Sequence, residues 1–345
     1  MKCSVVILNW NGADMLRRYL PSVVANTKAE GVEVVVADNG STDDSLQVVA
    51  TFPSVRILRM PENHGFAGGY NEALTQIDSE YSVLLNSDVE VTENWLQPLL
   101  DYMDCHSDVA AVQPKVLSWT SKEEHLKNPT QAIRFEHAGA AGGYMDILGY
   151  PFCRGRVVNY VEEDKGQYDT TTEIFWATGA CMCVRTSVYK ELGGLDDEFF
   201  AHMEEIDLCW RMQCRGYKIA CVPQSVVYHL GGGALGYNNP RKTYLNFRNN
   251  LLMIYKNAPA KRLWRIMLVR FAMDNAAILQ MLVTKQKENA MAAFRARRDY
   301  CKMRRTASFR AKRKENMEKM VVMFPATIAH RSIVFDFYLR KKRTL

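Results

Sequence analysis

Along the first half of the chain, short continuous apolar runs alternate with longer mixed segments. Cys3-Ser4-Val5-Val6-Ile7-Leu8 is apolar almost throughout and breaks at Asn9-Trp10-Asn11-Gly12. Such a run suits a parallel strand buried on both faces. The pattern predicts a helix from Ala13 to Thr27, then strands from Val32 to Ala37 and from Val55 to Met60. A helix running towards Ile77 and a fourth strand from Tyr81 to Leu85 complete the series. Strand and helix alternating at this spacing are the mark of right-handed βαβ units, hence an α/β fold with a mainly parallel central sheet flanked by helices.

Each strand candidate stops in or near short polar side chains, at Asn9, Asp38-Asn39-Gly40-Ser41-Thr42-Asp43, Asn63 and Asn86-Ser87-Asp88. Ligands of open α/β sheets bind outside the carboxyl ends of the strands, so these four ends are predicted to converge on a site. Ser41 or Thr42 is predicted to cap the following helix. Gly65, Gly68 and Gly69 suit either plain turns or a close approach to a ligand. They do not form GxGxxG straight after the first strand, which disfavours a dinucleotide site.

Further on, a helix is predicted from Trp95 to Met103 and a strand from Val109 to Leu117. Glycines and aromatic residues scattered through residues 119–172 predict loops and short strands, either covering a site or forming a surface insertion. A strand region at Glu173 to Arg185, a helix from near Met203, and strands at Tyr217 to Val222 and from Val226 follow. Beyond Pro240 the pattern turns helical, most clearly at Tyr244 to Asn257 and Lys261 to Thr284, dividing the chain into 1–240 and a helical 241–345.

Hydrophobic residues make up 48% of the 345 and charged residues 24%, which suits a buried core and excludes a disordered chain. The net charge of +6 conceals a division: residues 241–345 hold 26 Lys and Arg against 6 Asp and Glu, whereas residues 1–240 hold 18 against 32. An acidic front suits metal-binding carboxylates, and a basic tail seeks anionic lipid head groups or nucleic acid. Nine cysteines without a CxxC pair read as reduced thiols of the cytoplasm, with Cys181 and Cys183 on one face of a strand. Ser4 to Asn9 lacks the length and basic start of a secretory signal. Arg265, Arg270, Asp274 and Gln280 interrupt the apolar stretch Leu263 to Val283, so a membrane span is not predicted. The tail suits a peripheral membrane contact in which Trp264, Met267 and Phe271 enter the interface, or packing on the core or a second subunit.

Four motifs in order, Val5-Val6-Ile7-Leu8-Asn9-Trp10-Asn11, Val36 to Asp43, Asn63 to Asn71 and Leu84-Leu85-Asn86-Ser87-Asp88-Val89, resemble the family 2 glycosyltransferases of GT-A fold, most of all the rhamnosyltransferase-like branch. A fifth motif near residue 205 extends the resemblance to about residue 235. The resemblance implies a nucleotide-binding half at 1–117 and an acceptor and catalytic half at 118–240. It further implies that Asp38 holds the base of a nucleotide-diphosphate sugar, with Asn9 beside base and ribose and Asn63, Gly65, Phe66 and Asn71 also on the donor. Asn86-Ser87-Asp88 stands at the family's DxD position, whose last Asp reaches a divalent metal, Mn2+ or Mg2+, on the diphosphate. Asn86 replaces the first Asp and is expected to be a hydrogen-bonding neighbour, while Glu90 is expected to be solvated. His229 would complete the metal site, and the run Gly231-Gly232-Gly233 suits a segment closing over the diphosphate. Gly179 is placed near the donor sugar, and Trp176 suits core packing first and an apolar wall by that sugar second. In the family's Glu-Asp-x-Asp pattern the catalytic base falls at Glu205, one methylene longer than Asp; Glu204 is the competitor, and Asp207 lies towards sugar or acceptor. Spacings of three and four put Glu204, Asp207 and Arg211 on a neighbouring face of that helix.

The implied activity is inverting, metal-dependent sugar transfer to a hydroxyl of a glycan or lipid-linked glycan, in cell-surface polysaccharide assembly at the cytoplasmic membrane face. A nucleotidyltransferase would show a basic triphosphate loop after the first strand, and Asn9-Trp10-Asn11-Gly12-Ala13-Asp14 has none. A non-enzymatic nucleic-acid-binding protein is suggested by the tail alone.

Overall fold

The computed structural model describes residues 1–231 and 239–344. In chain order it builds β1 (Cys3–Asn9), α1 (Ala13–Asn26), β2 (Val32–Asn39), α2 (Ser45–Ala50), β3 (Val55–Met60), α3 (Gly65–Thr75), β4 (Tyr81–Asn86) and β5 (Val89–Val91). Next come α4 (Gln97–Cys105), β6 (Val109–Ser118), α5 (Trp119–Lys127) and the short strands β7 (Gly143–Asp146), β8 (Pro151–Cys153), β9 (Arg156–Val157), β10 (Tyr160–Val161) and β11 (Thr172–Glu173). β12 (Cys181–Arg185), α6 (Thr186–Glu191), α7 (Glu204–Cys214) and β13 (Lys218–His229) close the front part. The rest is α8 (Pro240–Asn257), α9 (Ala260–Val283), α10 (Lys287–Met303), α11 (Ala307–Glu318), β14 (Ile328–Ala329) and α12 (Ile333–Tyr338).

The main sheet runs β11-β13-β6-β12-β4-β1-β2-β3, with β5 paired to β13. β3, β2, β1 and β4 are mutually parallel, as the βαβ pattern predicts. β12 is antiparallel to both β4 and β6, which makes the sheet mixed. Alternate residues of each central strand face opposite sides. Val6, Val35, Leu84 and Met182 join the core beneath α3, α7 and α8, whereas Val5, Val34, Val83, Cys181 and Cys183 join the core beneath α1 and α4. All nine cysteines are unpaired.

Residues 119–172 contain a helix that their glycine content did not predict. Ser118 starts α5 by accepting a hydrogen bond from the Ser121 N–H at 3.2 Å. The second sheet, β10-β9-β8-β7-β14, is completed by a strand from the far end of the chain. Leu251, Leu252, Met253 and Ile254 of α8 lie in the main core. The basic helical region therefore packs on the sheet.

Candidate active site

Register delivers the first part of the site. Asn9 lies directly beside Asp38 across β1 and β2, and Asn86 pairs with Leu8, one residue short of Asn9. Three polar strand ends thus meet because the strands start and stop together. The buried Asn9 Nδ2 donates to Asp38 Oδ1 at 3.4 Å and to Ser41 Oγ at 3.2 Å. Ser41 Oγ also accepts from the Asn11 N–H at 2.9 Å, and Asp38 Oδ2 from the Ser41 N–H at 3.2 Å. Ser41 is spent on this turn and does not cap α2. Asp43 takes that work instead, accepting from Ser45 N–H with Oδ1 and from Ala13 N–H with Oδ2, both at 3.0 Å. Asn9 Oδ1 is buried without a partner, and a Cβ at Gly12 would stand 2.4 Å from it. That same Cβ would lie 3.8 Å from Ser87 Oγ, so Ser87 borders this turn.

Asn63 shapes the third turn from within. Its Oδ1 accepts from Gly65 N–H at 2.8 Å and from Asn39 Nδ2 at 3.1 Å, and Asn39 Nδ2 also reaches Gly65 O at 3.0 Å. Gly65 has φ +73°, and a Cβ there would meet the Phe200 ring at 2.7 Å. Only glycine fits such a position without strain. Asn71 is occupied elsewhere: it bonds Leu195 O and N at 2.8 and 2.9 Å and accepts from Tyr189 Oη at 2.7 Å. It lines a cavity of about 290 Å³ with Gly194, Arg211 and Lys256, to which Asp88, His229 and Glu205 do not contribute.

The second part forms where β5 pairs with β13. His229 stands opposite Val89, so its ring reaches Asp88, with Nε2 at 3.1 Å from Oδ1. Behind it, Nδ1 lies 3.3 Å from Oε2 of Glu136, a buried residue absent from the sequence expectations. Burial alone would lower the imidazole's pKa, but the Glu136 and Asp88 carboxylates outweigh it and raise it to about 10. Glu136 in turn is pushed up by burial and pulled down further by His229 and the Ala138 N–H, ending below the usual carboxylate range. Gly231, at φ +68°, passes so close that a Cβ would lie 2.5 Å from Glu136 Oε1. Gly232 and Gly233 of the expected closing segment lie outside the described residues. Asn86 donates its backbone N–H to Ala180 O at 3.0 Å. Glu90 is not merely solvated: it pairs with Lys122 and accepts from Trp119 Nε1 at 2.8 Å.

These donors fit a divalent cation once the imidazole gives up the proton that its carboxylate neighbours hold on it. Oxygen and nitrogen ligands adjacent on an octahedral ion at about 2.1 Å stand about 3 Å apart, close to the Asp88–His229 separation. A carboxylate behind a metal-binding imidazole orients it, and Glu136 stands in that place, 3.3 Å from Nδ1. Among the described residues no larger cluster of His, Cys, Asp and Glu suits a metal, so diphosphate oxygens and water would complete the shell.

The third part is the start of α7. Glu204 and Glu205 each have a buried Oε2 without a partner. Burial pushes the Glu205 carboxyl up to about 7, against the pull of backbone N–H groups at the helix start. Glu204 is raised further, by burial and by its neighbours Glu205 and Asp207. Glu204 is buried whereas Glu205 keeps partial access to solvent. A Cβ on Gly179 would touch Phe66 at 3.3 Å and Glu205 Cβ at 3.8 Å, so the Gly179 backbone joins the Phe66 ring to the glutamate. Trp176 takes the core-packing position, and Asp207, expected near sugar or acceptor, lies in the interior instead. Trp176 donates from Nε1 to Tyr144 O at 3.0 Å and packs over Gly143. Asp207 is fully buried between Arg211 Nε at 2.9 Å, Lys256 Nζ at 2.7 Å and Asn257 Nδ2 at 2.7 Å.

The segment entering α7 is strained, with φ +66°, +70° and +75° at Phe200, His202 and Met203. Non-glycine residues hold this conformation only where surroundings over-determine it. Here Asn249 of α8 does so, donating Nδ2 to Phe199 O, Ala201 O and His202 O at 3.0, 2.9 and 2.8 Å.

Comparison with known proteins agrees with this architecture. The family model for glycosyl transferase family 2 matches residues 4–193. The N-acetylglucosaminyl-diphospho-decaprenol L-rhamnosyltransferase of Mycobacterium tuberculosis is 26% identical over 238 residues, 65% of this chain and 75% of that protein. The O-antigen biosynthesis protein RfbC of Myxococcus xanthus is 26% identical over 232 residues, and there the match covers 66% of this chain but 17% of the relative. Among solved structures, the Pyrobaculum calidifontis mannosyltransferase PcManGT in complex with GDP-Man and Mn2+ superposes with a TM-score of 0.54 at 14% identity, covering 92% of this chain and 84% of that one. S. aureus TarS 1-349 with UDP-GlcNAc gives 0.54 at 16%, covering 92% and 89%. At such identities these two likenesses carry the fold. The converging strand ends, the GT-A-like sheet and a family match over more than half the sequence lead to one conclusion: the chain belongs to glycosyl transferase family 2.

Proposed function

We propose that this protein is an inverting, divalent-metal-dependent glycosyltransferase moving a sugar from a nucleotide-diphosphate donor to a hydroxyl of a glycan or lipid-linked glycan. The observation that carries the reading is the pairing of Asp88 with His229 at the carboxyl ends of the strands, in the sheet whose β1 and β2 ends bring Asn9 beside Asp38. The P. calidifontis structure with GDP-Man and Mn2+ supports donor class and metal, and the diphospho-decaprenol in the mycobacterial relative's name supports a lipid-linked acceptor.

In this reading Asp38 and Asn9 border the base and ribose, and Asn86 and Ser87 hydrogen-bond the diphosphate. Asp88 and His229 would hold a divalent cation, which would neutralise charge on the departing diphosphate. Glu205 takes the proton from the acceptor hydroxyl as its oxygen bonds to the anomeric carbon, while the bond from that carbon to the diphosphate oxygen breaks. Glu205 is preferred to Glu204 because it is the less buried of the two residues and its carboxyl is raised only to about 7. Burial and the neighbouring Glu205 and Asp207 raise the Glu204 carboxyl well above the usual carboxylate range. Asn63 and Gly65 shape the donor turn, and Phe66 and Gly179 form the wall between donor and base.

Exchange of Glu205 for Gln tests the assignment: transfer should fall by about 10²–10⁴-fold with donor affinity nearly unchanged. Turnover within a few fold of the parent protein would remove Glu205 from the base's role.

A further inference from the structure

Helix α9 is inside out. Its buried residues are Arg270 and Asp274, whereas Trp264, Leu268, Phe271, Leu279 and Leu282 are each between 46% and 65% exposed. These five recur at steps of four, three, eight and three, which places them along a single stripe of the helix. Among the described residues it is the one helix long and apolar enough, by length and composition, to cross a bilayer, and only 11% of its most apolar stretch is buried.

The charged side is built into the protein. Arg270 Nη1 donates to Asn250 Oδ1 at 2.6 Å and to Leu148 O at 3.3 Å, its guanidinium lies 3.8 Å from the Tyr150 ring centre, and Tyr150 Oη reaches Asp274 Oδ1 at 3.4 Å. Two of the four residues that break the apolar run in the sequence, Arg270 and Asp274, therefore face inwards, while Arg265 and Gln280 stay exposed. The inward pair ties the middle of the helix to Asn250 of α8 and to Leu148 and Tyr150 of the β7–β8 hairpin, so one side of the helix is held by the protein and the other is left to solvent. Met267, expected to face the membrane, packs on the core instead.

An exposed apolar stripe on a soluble surface signals a partner. Charge selects which. Residues 241–345 carry a net +20, and the single acidic residue within α9, Asp274, is the buried one. Lys261 and Arg265 lie exposed at one end of the stripe and Lys285 and Lys287 beyond the other. Two copies of so basic a face would repel each other, whereas anionic phospholipid satisfies stripe and cations together.

We propose that the exposed face of α9 inserts at the interface of an anionic lipid bilayer, with its axis in the membrane plane. The purpose of such a contact rests on the reading of a lipid-linked acceptor, but lipid binding is measured with no donor or acceptor present. The test is flotation of the full chain with vesicles of phosphatidylcholine alone or with an equal part of phosphatidylglycerol. Flotation with the anionic vesicles is expected, weakened by salt, and about tenfold weaker binding for the Leu268→Glu, Leu279→Glu pair. Absence from the anionic fraction, or equal binding by the pair, would overturn the proposal. So would a wild-type dimer that the pair converts to monomer with vesicle binding absent, since a second copy would then cover the face. Should the pair fold poorly, bromolipid quenching decides: fluorescence loss is expected in the parent protein and a smaller loss in Trp264→Phe. Identical quenching in the two would count against insertion.

Discussion

His229 Nε2 lies 3.1 Å from Asp88 Oδ1 across 141 positions of sequence. The contact exists because β5 returns antiparallel beside β13 immediately after Asp88. Glu136 sits behind the ring, so a metal at Nε2 would find the imidazole already oriented. Glu136→Gln should weaken manganese affinity about 10–100-fold, read from metal-dependent thermal stabilisation, with the fold retained. Asp88→Asn should lose more. Unchanged metal response in both variants would detach this cluster from metal binding.

Glu205 gives the pH signature. Its carboxyl is raised by burial to about 7 from an ordinary value of 4.5, so the folded protein binds a proton that the unfolded chain has released. The stability this contributes is full below about 4.5 and is lost as pH rises through about 7. As a base the group must be ionised, so kcat/KM should climb with pH up to about 7 and then level. A rate profile flat between pH 5 and 8 would exclude Glu205 as the titrating group.

Asn249 lies in the basic helical region yet holds the strained entry to α7 through three carbonyls. Asn249→Ala should destabilise by about 1–3 kcal/mol in chemical denaturation, because Ala201 O and His202 O lose their side-chain donor. It should also lower kcat more than it raises KM for donor, since the carbonyls belong to the segment that sets Glu205. Equal effects on both constants would make its role purely structural.

Lys256 is buried against Asp207, 2.7 Å away, and Asp196. Burial would raise Asp196, but Lys256 and Lys312 outweigh it and hold it at about 2, against an ordinary 3.8. Its contribution is present above about 3.8 and lost as pH falls through about 2. Lys256→Met strands buried carboxylates and should cost about 3–5 kcal/mol, measurable in urea unfolding. A smaller loss than 1 kcal/mol would mean the network relaxes without its lysine.

The sequence makes the strand ends legible because buried parallel strands read as unbroken apolar runs, and Asn9, Asp38 and Asn86 interrupt them abruptly. Parallel register then brings those ends together with no further information. Glu136 is not legible: it sits among glycines and aromatics in an irregular stretch, and only β13 returning beside β6 brings His229 to it. Asn71 and Asp207 carry the right residue types at motif positions, yet tertiary partners absorb their hydrogen bonds. In α9, Arg270 and Asp274 look like breaks in an apolar helix until the fold turns them inwards.

The most direct measurement is turnover of a panel of nucleotide-diphosphate sugars, followed as nucleoside diphosphate released with manganese, with magnesium and with a chelator. At least one donor should be consumed in a metal-dependent way, with the activity abolished by the chelator and by Asp88→Asn. Failure of every sugar nucleotide to bind or turn over, with either cation and with glycan or lipid-linked acceptors supplied, would contradict the account.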